Sequence, residues 1–222
     1  MNRKILYLFI LYTTIFLNGC LNYYQETTLK TDGSGEMFVH YWMKLATAQD
    51  SAFVKQVGVF NADSVKREFL SNYSHIKKVE VYTDSTDTTI HAKVELDFQK
   101  LDSLNNTKAF KEANLSLKNG AAGQKIFSQF IPPIATGFGV NPQAFTLTYV
   151  YYIPGDIITH NAHEISKNKL TWKYKLSDIG TGKTITATFR PFKLKETPIW
   201  IYSLAGVVLL VVIIFLFRKN KS

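Results

Sequence analysis

Thr89-Ile90-His91-Ala92-Lys93-Val94-Glu95-Leu96-Asp97-Phe98 alternates strictly, with apolar residues at 90, 92, 94, 96 and 98 and polar ones between. A period of two predicts a strand with one buried and one wet face. Sheets with a wet face are antiparallel, since parallel sheets are covered on both sides. Val79 and Val81 begin the same alternation on a preceding strand, across the polar turn Asp84-Ser85-Thr86-Asp87. Further upstream, residues 21–44 read as a hairpin around Asp32-Gly33-Ser34-Gly35, with Met37, Val39, Tyr41 and Met43 on one face. Glycine supplies the positive φ such a turn needs.

Downstream, strands are predicted at Leu115 to Lys118, Lys125 to Phe130 and Phe145 to Ile153, the last with Phe145, Leu147, Tyr149, Tyr151 and Ile153 in odd-numbered alternation. Ile157 follows Pro154-Gly155, and further runs carry Leu170, Trp172, Tyr174 and Leu176, then Ile185, Ala187 and Phe189. Helices are expected at 46–57 and from an Asp63 cap to Asn72, with Val65, Phe69 and Tyr73 at fourfold spacing. Leu101, Leu104 and Phe110 suit short helical turns. The prediction is one α+β domain: an antiparallel-rich sheet with two or more helices packed on one face.

Both ends read as membrane devices. Arg3 and Lys4 precede the uncharged run Ile5 to Leu17, the pattern of an export signal over residues 1–19. Leu17-Asn18-Gly19-Cys20 looks like a bacterial lipobox, which places an acyl (palmitate-type) chain on Cys20. Each buried methylene contributes about 0.8 kcal/mol, so several chains anchor durably. Ile199 to Phe217 is 19 residues without a charge, with Trp200 and Tyr202 at its start and Arg218, Lys219 and Lys221 after it. That pattern predicts a single transmembrane helix over 198–217 with a cytoplasmic tail, 218–222. Residues 20–197 are then an extracytoplasmic domain at the bacterial plasma (inner) membrane.

Composition fits this arrangement. The chain has 222 residues, 46% of them hydrophobic, and a net charge of +9. Five of its 26 basic residues flank the two apolar ends, where there are no acids, so the remainder carries only +4. That argues against a nucleic-acid partner. One cysteine excludes disulfide scaffolds and multi-cysteine metal centres.

Motifs for chemistry are sparse. Gly180-Thr181-Gly182-Lys183-Thr184 resembles the end of a phosphate loop, but Ser177 stands where the first glycine belongs and a strand follows. His160-Asn161-Ala162-His163-Glu164 holds two imidazoles and a carboxylate, which diverge on a strand or turn and so predict no metal site. Ser74 to Lys77 and Ser166 to Lys169 repeat a Ser-x-x-Lys spacing without partner motifs. The expectation is a non-enzymatic protein without a cofactor.

The most unusual stretch is Ile126 to Val140, where Phe127, Phe130, Ile131, Ile134 and Phe138 are interleaved with Pro132, Pro133, Gly137 and Gly139. It is too broken for a helix and too apolar for an ordinary loop. Three readings fit: a core plug, an apolar ligand pocket or bilayer contact, and a protein contact. The five apolar residues are the candidate ligand or membrane contacts.

Cys20 after the signal, Asp32-Gly33-Ser34-Gly35, the stretch from Ile153-Pro154-Gly155 through Asn161 to Leu170-Thr171-Trp172, and the terminal helix together resemble the LppM-type lipoproteins. The resemblance spans most of the chain in architecture and about 40 residues in motif, none catalytic. It implies a lipid-anchored α+β domain and, in the mycobacterial namesake, lipid or glycolipid binding. The function expected is an envelope lipoprotein that binds lipid or contacts the membrane surface; the alternative is a scaffold recognising another membrane protein.

Overall fold

The computed structural model describes residues 21–45, 51, 52, 54, 58–134, 143, 145–192 and 199–219. It divides into two units, residues 1–191 and residues 192–222.

The first unit begins with β1 (Leu21–Leu29) and β2 (Gly35–Lys44), followed by helix α1 (Ala62–Phe69), β3 (Ser74–Asp84) and β4 (Thr89–Phe98). After a 3-10 helix at Leu101–Asn106 come β5 (Ser116–Asn119), β6 (Lys125–Ile131), β7 (Thr146–Tyr152), β8 (Gly155–His160), β9 (Glu164–Ser166) and β10 (Lys169–Lys175). A single-turn helix α2 (Leu176–Ile179) leads to β11 (Lys183–Pro191).

These strands form two sheets, of order β3-β4-β2-β1-β7-β10-β9 and β5-β6-β11-β8. The expected antiparallel character holds for every described pair but one. β1 lies parallel to β7, where the N-terminal hairpin pairs have been joined by a long connection to the later β7-β10 pair. Ala92, Val94, Leu96 and Phe98 are buried as their alternation requires.

The inner face of the seven-stranded sheet has two different covers, which corrects the expectation of helices alone. Over β3 and β4 lie α1, through Val65 and Phe69, and the 3-10 helix, through Leu101 and Leu104. Over β1, β7 and β10 lies the second sheet, with Phe127 of β6 packed on Tyr151 and Trp172. Four short, separate strand runs in the sequence did not reveal that they would pair with one another rather than extend the first sheet.

Asn61, not Asp63, caps α1: its side chain accepts a hydrogen bond from Ser64 N at 3.0 Å. The helix stops at Phe69, so Tyr73 falls outside it and is 51% exposed. Of the helix expected over 46–57, residues 51, 52 and 54 are helical and the rest lies outside the described residues. The β1-β2 turn places Gly33 at φ 89°, and a Cβ at Gly35 would overlap the carbonyl oxygen of Thr28.

The second unit contains α3 (Ile199–Lys219), a helix of 21 residues. Its described side chains, at 201 and 203–213, are exposed. Among the described residues no helix is long and apolar enough to cross a membrane. The span expected over 198–217 runs past those described side chains at both ends.

Candidate functional site

β6 divides the candidate contact residues by parity. Phe127 and Ile131 face inward and are 0% and 1% exposed, so these two belong to the core. Phe127 packs against Tyr151 in a tilted pair, 4.2 Å between ring centroids. Phe130 lies on the opposite parity, half-buried, with its ring occupying the space that a Cβ at Gly182 would need. Ile134, past the strand, is 45% exposed. Phe138 and Cys20 lie outside the described residues.

The outer face of the four-stranded sheet gathers the remaining even positions of β6 with their neighbours. Lys118, Ile126 and Thr188 oppose one another across β5, β6 and β11, and so do Ser116, Ser128 and Thr186. Ile126 is 42% exposed, and Ile158, in the bulge of β8 against β11, is 45% exposed. The strands of this sheet carry Lys118, Lys125, Lys183 and Arg190 against Asp156 alone, a net +3. Ile126 does not stand out in the sequence beside the larger Phe127. The alternation of β6 was the signal that separates them.

The wet face of the seven-stranded sheet is aromatic as well as polar. Tyr82 of β3 stacks on His91 of β4 at 4.8 Å and 9° between planes, and His91 lies 5.3 Å from His40 of β2. His40 in turn stacks on Trp42 at 4.5 Å, and Phe38 and Tyr24 continue the row. His40 Nε2 and His91 Nδ1 share a hydrogen bond of 3.0 Å, and the other nitrogen of His91 meets Thr89 Oγ1 at 2.6 Å. Burial first, then the charge of Lys93 and the neighbouring His91, holds His40 down to about 4. Burial also lowers His91, against the opposing pull of Asp87. Both rings are therefore neutral at pH 7. Phe38, His40 and Trp42 occupy the positions between Met37, Val39, Tyr41 and Met43, so β2 is apolar or aromatic on both faces.

At the Phe38 end this row opens into a groove of about 280 Å³ lined by Glu26, Glu36, Lys77 and Glu95. Lys77 sits 2.7 Å from Asp97 and 3.4 Å from Glu36. The Tyr24 hydroxyl donates to Glu26. The groove is thus acidic, with Glu26, Glu36 and Glu95 against Lys77 alone, and lies beside aromatic rings that pack on one another.

The histidine-rich segment resolves differently. Asn161, between the two imidazoles, accepts from Trp172 Nε1 at 2.9 Å and from Thr186 N at 2.8 Å, and donates to Thr184 O at 2.7 Å. It ties β10 of one sheet to β11 of the other. His160 Nδ1 accepts from Ala162 N, and His163 Nδ1 accepts from Lys173 N. Among the described residues no three His, Cys, Asp or Glu side chains are grouped to hold a metal ion. Gly180 and Gly182, at φ 56° and 120°, form the turn between α2 and β11.

No protein-family model matches the chain, and no curated protein matches it. Among solved structures it is similar to the folded domain of the Mycobacterium tuberculosis LppM protein, determined by NMR, at 16% identity and a TM-score of 0.49. That likeness covers 81% of this chain and 95% of the other.

Proposed function

We propose that the chain is a non-enzymatic envelope lipoprotein, acylated at Cys20, whose domain of residues 20–197 stands outside the plasma membrane and contacts lipid. Residues 1–19 are its export signal and 198–217 its membrane span. The observation that carries this reading is the uncharged run Ile199 to Phe217 ahead of Arg218, Lys219 and Lys221, lying within the helix Ile199–Lys219. Nineteen helical residues cover about 28 Å, close to the hydrocarbon thickness of a bilayer. The lipobox at Cys20 adds a second tether on the same side.

Alkaline extraction of membranes tests the span: the full chain stays in the pellet, and its release into the supernatant would contradict the reading. Lipid retained by the purified full chain, identified by mass spectrometry against a detergent blank, tests lipid contact.

The second reading, a scaffold for another membrane protein, is favoured by the aromatic and histidine row on the large sheet, where Phe38, His40 and Trp42 stay only half-buried. Crosslinking in intact membranes would then yield one stoichiometric partner.

A further inference from the structure

The turn between β3 and β4, Asp84-Ser85-Thr86-Asp87-Thr88-Thr89, carries more hydroxyl groups than its geometry uses. Asp84 Oδ1 accepts from Thr86 N at 2.8 Å, and Asp87 Oδ1 accepts from Thr89 N at 3.1 Å and from the Thr89 hydroxyl at 2.5 Å. Bonds of this kind are what short polar side chains contribute to a turn, and they account for both aspartates. Ser85 and Thr88 are left over. Among the described residues the Ser85 hydroxyl bonds nothing, and that of Thr88 donates only to the carbonyl directly before it, Asp87 O, at 2.6 Å. Both side chains are exposed.

Thr88 is also costly where it stands. Its φ of 58° lies in the left-handed region, which suits Gly or Asn in a hairpin loop and which a β-branched residue rarely enters. A turn optimised for stability alone would carry Gly there. Strain kept at an exposed position points to a use for the side chain.

The step from Asp to a hydroxyl residue recurs along the chain. Five of the nine aspartates, at 50, 63, 84, 87 and 102, are followed directly by Ser or Thr, where 34 such residues among 222 would place about one. Ser64 Oγ accepts from Arg67 and Ser103 Oγ donates to Lys100 O, so those hydroxyls are engaged within the fold. The β3-β4 turn holds two such steps in tandem with their hydroxyls outward.

We infer that Ser85 and Thr88 are sites of O-glycosylation, recognised through Asp84 and Asp87. This rests on the envelope reading above, which selects the modifying group: outside the plasma membrane nucleoside triphosphates are scarce, whereas phosphate-activated sugars on lipid carriers are the donors available. The hydroxyl oxygen bonds the anomeric carbon as the bond from that carbon to the donor phosphate breaks. The hydroxyl proton passes to a base on the transferase, and the phosphate leaves with the bonding pair. β3 is an edge strand of the large sheet, so a glycan at its end covers an edge open to pairing with another chain.

Mass spectrometry of the full chain, isolated from the envelope of the cells that make it, tests the site. Trypsin releases Val79 to Lys93 as one peptide. That peptide is heavier than its sequence by saccharide units, sheds sugar ions on fragmentation and loses the added mass in alkali. Ser85→Ala with Thr88→Gly returns it to the sequence mass, and Asp84→Asn with Asp87→Asn removes most of the modification. In protein from a host that adds no sugar, Thr88→Gly melts no lower than the parent, because glycine relieves the strain; a lower melting temperature would give Thr88 to the turn and overturn its assignment. An unmodified peptide, or one carrying phosphate, from chain that bears its acyl group overturns the site and leaves the envelope reading standing. Chain with neither acyl group nor sugar overturns both.

Discussion

Gln25 on β1 and Gln129 on β6 exchange amide hydrogen bonds across the two sheets, Gln25 Nε2 donating at 3.1 Å and Gln129 Nε2 at 3.2 Å. Tyr151 completes the cluster: its hydroxyl donates to Gln129 Oε1 at 2.6 Å and accepts from Gln25 Nε2 at 2.9 Å. All three side chains are buried, and Gln25 is further held by Tyr23 and Thr27, so the Tyr151 hydroxyl depends on Gln129 as its acceptor. Gln129→Leu leaves Gln25 and Tyr151 short of partners and lowers stability by about 1–3 kcal/mol. Adding Gln25→Leu and Tyr151→Phe recovers part of that loss, because the orphaned groups are removed as well. Urea unfolding of the three proteins measures both effects; a triple variant far weaker than Gln129→Leu would contradict them.

Asn161 fixes the other junction between the sheets. Asn161→Ala removes three hydrogen-bonding partners at once and leaves the Trp172 indole N–H unpaired in the core. The expected cost is about 1–3 kcal/mol, with a changed Trp172 emission. His160→Ala and His163→Ala, at exposed positions, stay within about 0.5 kcal/mol of the parent. Thermal melts of the three variants distinguish the asparagine from the histidines.

The neutral histidine pair makes stability depend on pH. His40 is held down to about 4, below the ordinary value of 6.5. Between those values the unfolded chain binds a proton that the folded one refuses, so stability falls as pH drops from about 6.5 toward 4. His91, lowered in the same direction, adds to the slope. His40→Gln flattens this part of a melting-temperature profile; an unchanged slope would place its origin elsewhere.

Gly155 lies where β8 meets β11, and a Cβ there would overlap the carbonyl of Arg190. Gly155→Ala forces the two strands apart, at a cost of about 1–3 kcal/mol. Amide exchange in β8 and the end of β11 reports the opening, and protection equal to the parent's would refute it.

Much of the strand pattern was legible because burial imposes a period of two that side chains must obey. Thr89 to Phe98 shows it most plainly, and the β1-β2 hairpin follows from its glycine turn. The two-sheet arrangement was not legible, since the contacts of Phe127 with Tyr151 and Trp172 lie far apart in sequence. Nor was the role of Asn161, whose three bonds depend on strands brought together only by the fold. The exposed isoleucine at 126 and the aromatic positions 38, 40 and 42 were visible as alternation, but an outward face reads as polar by default, and their rings pair only once β3, β4 and β2 are in register.

Fatty-acid labelling of the full chain in growing bacterial cells decides whether Cys20 carries the lipid anchor. The wild-type protein takes up labelled palmitate and Cys20→Ser does not. Label that persists in Cys20→Ser, or a wild-type protein that carries none, would contradict the account.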